Sequence, residues 1–360
     1  MKVGYFTMPL HPPGSDLTQT LEDDIEQIVT ADRLGYCEAW LGEHYAAPWE
    51  NICAPDLILA KALALTKNIV LGTGVSCLAY HNPFVLAHRI ATLDHLARGR
   101  FLWGIGPGSF IGDLEAFELD GATGEHRSTG RDALEAILEL WGDPEPGPRI
   151  HARWSYTVPE TKPEAGVGLH VKPFQKPYPP IAVAGLSPDS ETLVLAGERG
   201  WIPMSINLIP ARFLKTHWAS VEQGAASTGL TPDRSGWRIA RDVYVADTAE
   251  QARQEAIEGT LGRDYEDFFL ALFRSMGRLD LLKVNPGMPD SDVTLEYLAD
   301  NIWIVGGPDE VAEQLRELYS EVGGFGVLLA MGHEWQPRER WVKSMTLLAE
   351  EVMPRLSDLA

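Results

Sequence analysis

Trp40-Leu41-Gly42-Glu43-His44-Tyr45 is the stretch on which the fold reading turns. Two apolar residues run into a glycine and then into two ionisable side chains, as a short buried strand does where it ends at a polar rim. Before it, Leu17, Leu21, Ile25, Ile28 and Val29 recur at helical spacing and Gly35 closes the helix. After it come the loop Trp49-Glu50-Asn51, a helix from Pro55 to about Leu65, and a strand Ile69-Val70-Leu71-Gly72-Thr73. A third helix starts at Pro83 with Leu86, Ile90 and Leu93 inward, and Phe101-Leu102-Trp103-Gly104-Ile105 is the next strand. Alternating strands and helices predict parallel strands joined by right-handed crossovers.

The same rhythm extends to both ends. Val3–Met8 precedes it, and Ile181–Ala184, Met204–Ile206, Ile239–Val245 and Gly326–Ala330 follow, giving eight strands. Helices are expected at 131–141 and 344–356. The predicted fold class is α/β, a TIM (β/α)8 barrel formed by one domain over 1–360, with insertions after the fourth and seventh strands. The Pro- and Gly-rich 142–179 is the first insertion. The second, 262–300, carries Tyr265, Phe268, Phe269, Leu272, Phe273 and Met276. No repeat of solenoid length and no interdomain linker is visible.

A chain of 360 residues with 45% hydrophobic and 22% charged residues can bury one large core. Its formal net charge of −21 repels phosphate backbones and anionic lipid, which sets nucleic acid and membrane surfaces aside as partners. Cys37, Cys53 and Cys77 form neither an even set nor a CxxC pair, a pattern of reducing compartments. Met1–Phe6 reads as a strand rather than a signal peptide, and no apolar run nears the roughly 20 residues of a membrane helix. A cytoplasmic protein is expected.

His44 stands at the C-terminal end of the second strand, the end at which α/β barrels carry their active sites. A histidine there can move a proton near neutral pH, though one tied into a loop network would look the same. Gly104-Ile105-Gly106-Pro107-Gly108 fails as a dinucleotide fingerprint, because Pro107 replaces a flexible position and no helix opens after it. Such glycines instead let a flat ring approach bare backbone. Thr73-Gly74-Val75-Ser76 reads, taken alone, as a tightly packed strand end. Gly185-Leu186-Ser187-Pro188-Asp189-Ser190 precedes a helix and suits either a phosphate cradle or an ordinary Ser/Asp cap. Arg131, read as opening the fourth helix, offers a balancing positive charge. His44, His81, His88, His126 and His333 form no HxH or HExxH pair, so no metal site is expected.

Five ordered stretches carry a family resemblance along the whole chain. They are Trp40–His44, Leu93–Arg100 with Gly104–Gly106, Pro173–Ile181, Val305–Asp309 and Glu350–Pro354. The chain resembles the bacterial-luciferase-like flavin-dependent monooxygenases. Through Trp49–Ile52, Ala184–Pro188, His217-Trp218 and Thr231–Ser235 it is most similar to their limonene-hydroxylase and diketocamphane-monooxygenase branch.

The resemblance implies a barrel that binds FMN non-covalently, receives it reduced from a separate flavin reductase, and pairs as a homodimer. Molecular oxygen then forms a flavin hydroperoxide, which passes one oxygen atom to an apolar organic substrate such as a terpenoid or cyclic ketone. It makes His44 the catalytic histidine and Gly74–Val75 a non-prolyl cis peptide beneath the flavin. Further cofactor contacts fall at Gly106, Ala184, Gly185 and Ser205, with Arg131, Ser187 and Ser190 near the phosphate. Tyr265, Phe268, Phe269 and Phe273 fall on a substrate lid. Such a lid suits the chemistry, because the oxygenating intermediate must be kept from water. Gly106 stands where light-emitting members carry a reactive cysteine, which implies oxygenation without light. Pro107 replaces an arginine, and Asn82 replaces a histidine found in many relatives. A deazaflavin-dependent hydride-transfer enzyme on the same fold is the alternative, and a flavin-binding relative without activity is the non-enzymatic one.

Overall fold

Residues 1–359 are described by a computed structural model. Eight strands form the barrel: β1 (Lys2–Thr7), β2 (Glu38–Leu41), β3 (Val70–Thr73), β4 (Phe101–Gly106), β5 (Ile181–Gly185), β6 (Ile202–Ser205), β7 (Arg238–Arg241) and β8 (Val327–Gly332). They are hydrogen-bonded in the order β3-β2-β1-β8-β7-β6-β5-β4, and a β3–β4 pairing closes the cylinder. All the ladders are parallel, from Lys2 opposite Val327 through Thr7 opposite Gly332 on one side of β1 to Tyr5 opposite Ala39 on the other. The helices packed outside are α1 (Leu17–Arg33), α2 (Pro55–Leu65), α3 (Pro83–Ala97), α4 (Glu125–Trp141), α5 (Glu191–Arg199), α6 (Ala211–Thr228), α7 (Pro308–Val322) and α8 (Arg338–Leu347). This is the predicted TIM barrel.

Strand residues alternate between two cores. Tyr5, Ala39, Leu41, Trp103, Ile105, Val183 and Ile239 face the helices, whereas Phe6, Trp40, Ala182, Met204, Ala240, Leu329 and Met331 fill the barrel. The filling is lopsided. Large side chains come from β1, β2, β6 and β8, and the β3–β4 wall offers glycine. A Cβ on Gly72 would lie 2.4 Å from the Trp40 ring, and one on Gly104 only 1.9 Å from the Thr73 carbonyl oxygen. At the barrel base, Arg238 bridges Glu38 at 3.0 and 3.1 Å, and the Trp40 indole donates to the same carboxylate at 2.8 Å.

Three element boundaries differ from the sequence expectations. α4 begins at Glu125, because His126, Thr129 and Gly130 are buried and override the weak helix preference of Ser-Thr-Gly. The seventh strand breaks at Asp242: Val243–Val245 leaves the barrel and pairs with Ile304–Gly306. α8 begins at Arg338, directly after Pro337. The 142–179 insertion folds part of itself into a hairpin of Gly147–Ile150 with Ser155–Val158. Among the described residues, no helix is long and apolar enough to cross a membrane, and Cys37, Cys53 and Cys77 are free thiols.

Gly104→Ala should lower unfolding free energy by about 1–3 kcal/mol or more, since backbone rather than a flexible side chain blocks the new methyl. Gly236→Ala, with nothing within 4 Å of its Cβ, should stay within about 0.5 kcal/mol of the parent. Denaturant midpoints measured side by side check the contrast.

Candidate active site

Beyond Leu41 the chain leaves β2 through Gly42, and the His44 amide is pinned to the Ile52 carbonyl at 2.9 Å. The ring sits between two carboxylates. Nδ1 donates to Asp113 Oδ2 at 2.9 Å, and Nε2 lies 3.3 Å from Glu50 Oε2. Asp113 also accepts the amides of Tyr45 and Ala46 at 2.9 and 2.6 Å, and the ring of Phe110 meets His44 edge-on at 5.2 Å. Burial would lower the His44 pKa, but Glu50 and Asp113 outweigh it and raise it above the ordinary imidazole value. Glu43 turns the other way: it accepts the Cys77 amide at 2.9 Å and His81 Nε2 at 2.5 Å.

Beside His44 the rim is made of small residues. The Gly74–Val75 peptide is cis, and past it Ser76–Cys77 continues along β4. A Cβ on Gly106 would lie 2.7 Å from Val75 Cγ2. Gly106 and Pro107 open into a cleft that Arg127, Arg131, Glu191 and Thr192 also line. Arg131 therefore reaches the rim from the second turn of α4 rather than from its first residue, and it is exposed. Arg127, which the sequence reading passed over, lies in the preceding turn, 3.5 Å from Glu191. The first turn of α5 has no side-chain cap: the Ser190 and Thr192 hydroxyls bond each other at 2.8 Å, and Thr192 donates to the Ala184 carbonyl at 2.6 Å. Gly185 is tight as well, its Cβ position lying 2.7 Å from Leu193 and 2.8 Å from Ser190 Oγ.

Ser205 is on the helix-facing side of β6. Its hydroxyl accepts from the Trp237 indole at 2.9 Å and donates to His217 Nδ1 at 2.9 Å. His217 Nε2 donates to the Ser187 carbonyl at 2.8 Å, which fixes the neutral tautomer, and burial pushes its pKa down to about 4. Ser187 itself is exposed. The Ser205 side chain thus braces α6 against the barrel, away from the cleft. Asn82 has a local task too, capping α3 by accepting from the Phe84 and Val85 amides at 3.0 and 3.3 Å.

Tyr265, Phe268, Phe269 and Phe273 lie on a helical segment from Thr260 to Ser275, and all four are buried. Phe268 stacks on Trp49 of the His44 loop at 5.8 Å. The opposite edge of the segment is held by charge. His333 donates to Asp264 at 2.9 Å and to Asp242 at 3.0 Å, and the Tyr265 hydroxyl donates to Asp242 at 2.6 Å. Arg263 bridges Asp264 and Glu334, each at 2.6 Å, and His11, paired with Asp24 at 3.1 Å, lies 3.9 Å from Glu334. Sequence spacing cannot reveal this network, because its members come from beyond the ends of β1, β7 and β8, from α1 and from the Thr260–Ser275 segment (the cap). No group of three or more His, Cys, Asp or Glu is placed to hold a metal among the described residues.

His44 and the small residues Gly74 and Gly106 thus lie past the C-terminal ends of the barrel strands, and the aromatic segment packs on the His44 loop through Phe268 and Trp49. The chain belongs to the luciferase-like monooxygenase family, whose pattern its residues 1–324 match. It is 34% identical to 4-hydroxyprotoasukamycin monooxygenase of Streptomyces nodosus subsp. asukaensis, over 98% of this chain and 92% of that one. With limonene 1,2-monooxygenase of Rhodococcus erythropolis it shares 31% identity, covering 98% and 86% of the two. The oxygenating constituent of 3,6-diketocamphane monooxygenase from Pseudomonas putida, a type II Baeyer-Villiger monooxygenase solved with FMN, superposes with a TM-score of 0.91 at 32% identity over 98% of each chain.

The charged seam gives the cap a pH dependence. Burial alone would lower the pKa values of His333 and His11, yet their carboxylate partners raise each to about 9 from 6.5. Both therefore contribute stability that is complete below pH 6.5 and is lost as pH rises through 9. Unfolding free energy measured in denaturant should fall across that window, and His333→Asn should flatten the slope.

Proposed function

We propose that this chain is the oxygenase component of a two-component FMN monooxygenase. In this reading it takes reduced FMN from a separate flavin reductase and places one atom of molecular oxygen into a small apolar organic substrate, a terpenoid or cyclic ketone. The observation that carries the reading is a grouping past the C-terminal ends of the strands: His44, Val75 packed on Gly106, and a cleft lined by Gly106, Arg127, Arg131 and Glu191 beside a helix start without a side-chain cap. That grouping matches a flat ring with an anionic tail. The side-chain-free backbone of Gly74, Gly106 and Gly185, with Val75 and Ala184, would seat the ring. Arg127, Arg131, the amides at the start of α5 and the loop from Ser187 to Ser190 would hold the phosphate.

Bound reduced flavin supplies the two electrons that activate dioxygen, so that one oxygen atom enters the substrate and the other leaves as water. The protein's part is to exclude water and to manage a proton. Tyr265, Phe268, Phe269 and Phe273 present the dry underside of the cap. His44, held through Nδ1 by Asp113, would supply a proton from Nε2, the nitrogen that faces Glu50 at 3.3 Å. The same rim serves ester formation from a ketone or epoxidation of an alkene. Ser205 has no part in this reading.

A panel of ketones, aldehydes and alkenes should be incubated with protein, FMN, a generic flavin reductase and 18O2. One labelled oxygen atom in a product is the expected result. Hydride transfer with a deazaflavin and no oxygenation on any substrate would replace the proposal with that activity. His44→Ala should lower turnover about 10²–10⁴-fold with the fold intact, measured at saturating substrate. We also propose a homodimer: Leu57, Leu65, Val85 and Leu96 stand exposed on α2 and α3, an apolar face that a second copy would cover. Sedimentation at micromolar concentration should give twice the chain mass of 39.7 kDa.

A further inference from the structure

Glu50 is buried to 6% exposure in a loop that is fixed at every turn. Its amide donates to the Ala47 carbonyl at 2.9 Å, and its backbone forms an antiparallel bridge with Leu10. The next residue, Asn51, donates to Thr20 on α1 at 2.9 Å, and the preceding Trp49 carbonyl accepts the His11 amide at 2.8 Å. Holding a carboxylate in such a place costs several kcal/mol unless a charge answers it. Among the described residues, the cation within ion-pair reach of Glu50 is His44, at 3.3 Å.

The two acids around the ring differ in kind. Asp113 is fully engaged by His44 Nδ1 and two amides, which hold its carboxyl below the ordinary range although burial opposes them. Burial pushes Glu50 up, His44 pulls it back and Asp113 adds repulsion. Asp113 thus orients the ring through Nδ1, and Glu50 addresses the nitrogen on the other side.

We propose that Glu50 is a positioning residue that keeps His44 as an imidazolium, so that Nε2 carries a proton at the rim. This rests on the reading of His44 as the proton donor of the oxygenation. Glu50 acts through His44 and touches neither flavin nor substrate in this scheme. The charged groups facing His44 are Glu50 from its own loop, Asp113 from the short helix Ile111–Ala116, and Glu43 from the end of β2. The cap brings Arg263 near, over the Trp49 ring at 5.9 Å, but that guanidinium is taken by Asp264 and Glu334. Each of the three carboxylates favours the charged ring, so removing one moves the His44 titration down.

The test uses ligand-free, full-length protein with 15N-labelled histidine, and follows His44 by NMR from pH 5 to 10, assigned with His44→Asn. Glu50→Gln should lower the His44 midpoint by about one to three pH units. Glu50→Asp, whose carboxylate is one methylene further away, should give a smaller move in the same direction and serves alone if the glutamine variant does not fold. An unchanged midpoint in the folded variants overturns the proposal. In turnover, the high-pH limb of kcat should shift down by the same amount with KM nearly constant, a signature that mere loosening of the loop would not give. If no substrate is oxygenated by the parent protein, the functional reading fails, while the NMR titration still decides what Glu50 does.

Discussion

Contact between the Trp40 ring and the bare backbone of Gly72 and Gly104 is the constraint on which the molecule is built. A tryptophan inside an eight-stranded barrel must displace side chains from the wall it faces, and here that wall is β3 and β4. With no side chain at 72 or 104, β4 can approach until a Thr73 carbonyl lies where a Cβ would be, and the Thr73 hydroxyl reaches the Gly104 carbonyl at 2.8 Å. The lower barrel is thereby solid, and the small-residue strategy continues upward as Gly74, packed against Phe6, and Gly106, packed against Val75.

The His44 cluster is assembled from elements far apart in sequence. His44 pairs with Asp113, 69 residues on, and with Glu50, six residues on through a fixed loop. The Thr260–Ser275 segment packs against that loop through the Trp49–Phe268 stack and against the ends of β7 and β8 through His333, Asp242 and Asp264. Its two edges use different physics. The first edge is apolar contact and the second is buried charge satisfied by hydrogen bonds.

The barrel itself was legible because buried parallel strands are short apolar runs and the helices between them are amphipathic. His44 was legible because its strand ended beside it. What escaped were partners without local spacing. Asp113 sits in a six-residue helix with no pattern of its own. Arg127 was hidden by the weak helical sequence around Gly130, and Glu50 stood in the branch-marking stretch without a visible role. His333 was weighed as a metal ligand, yet its two carboxylates make it an imidazolium bridge. The side on which the Ser205 hydroxyl lies follows from strand alternation: its neighbour Met204 fills the interior, and the hydroxyl pairs with Trp237 and His217.

Gly106 and Val75 touch across the rim, and this has a consequence for substitution at 106. Any side chain at 106 begins with a Cβ only 2.7 Å from the branched, stiff valine. A Gly106→Cys substitution therefore disturbs the wall at Val75. A Cβ at 106 fits only if the Val75 methyl gives way, so the space for residue 106 is set by the side chain at 75.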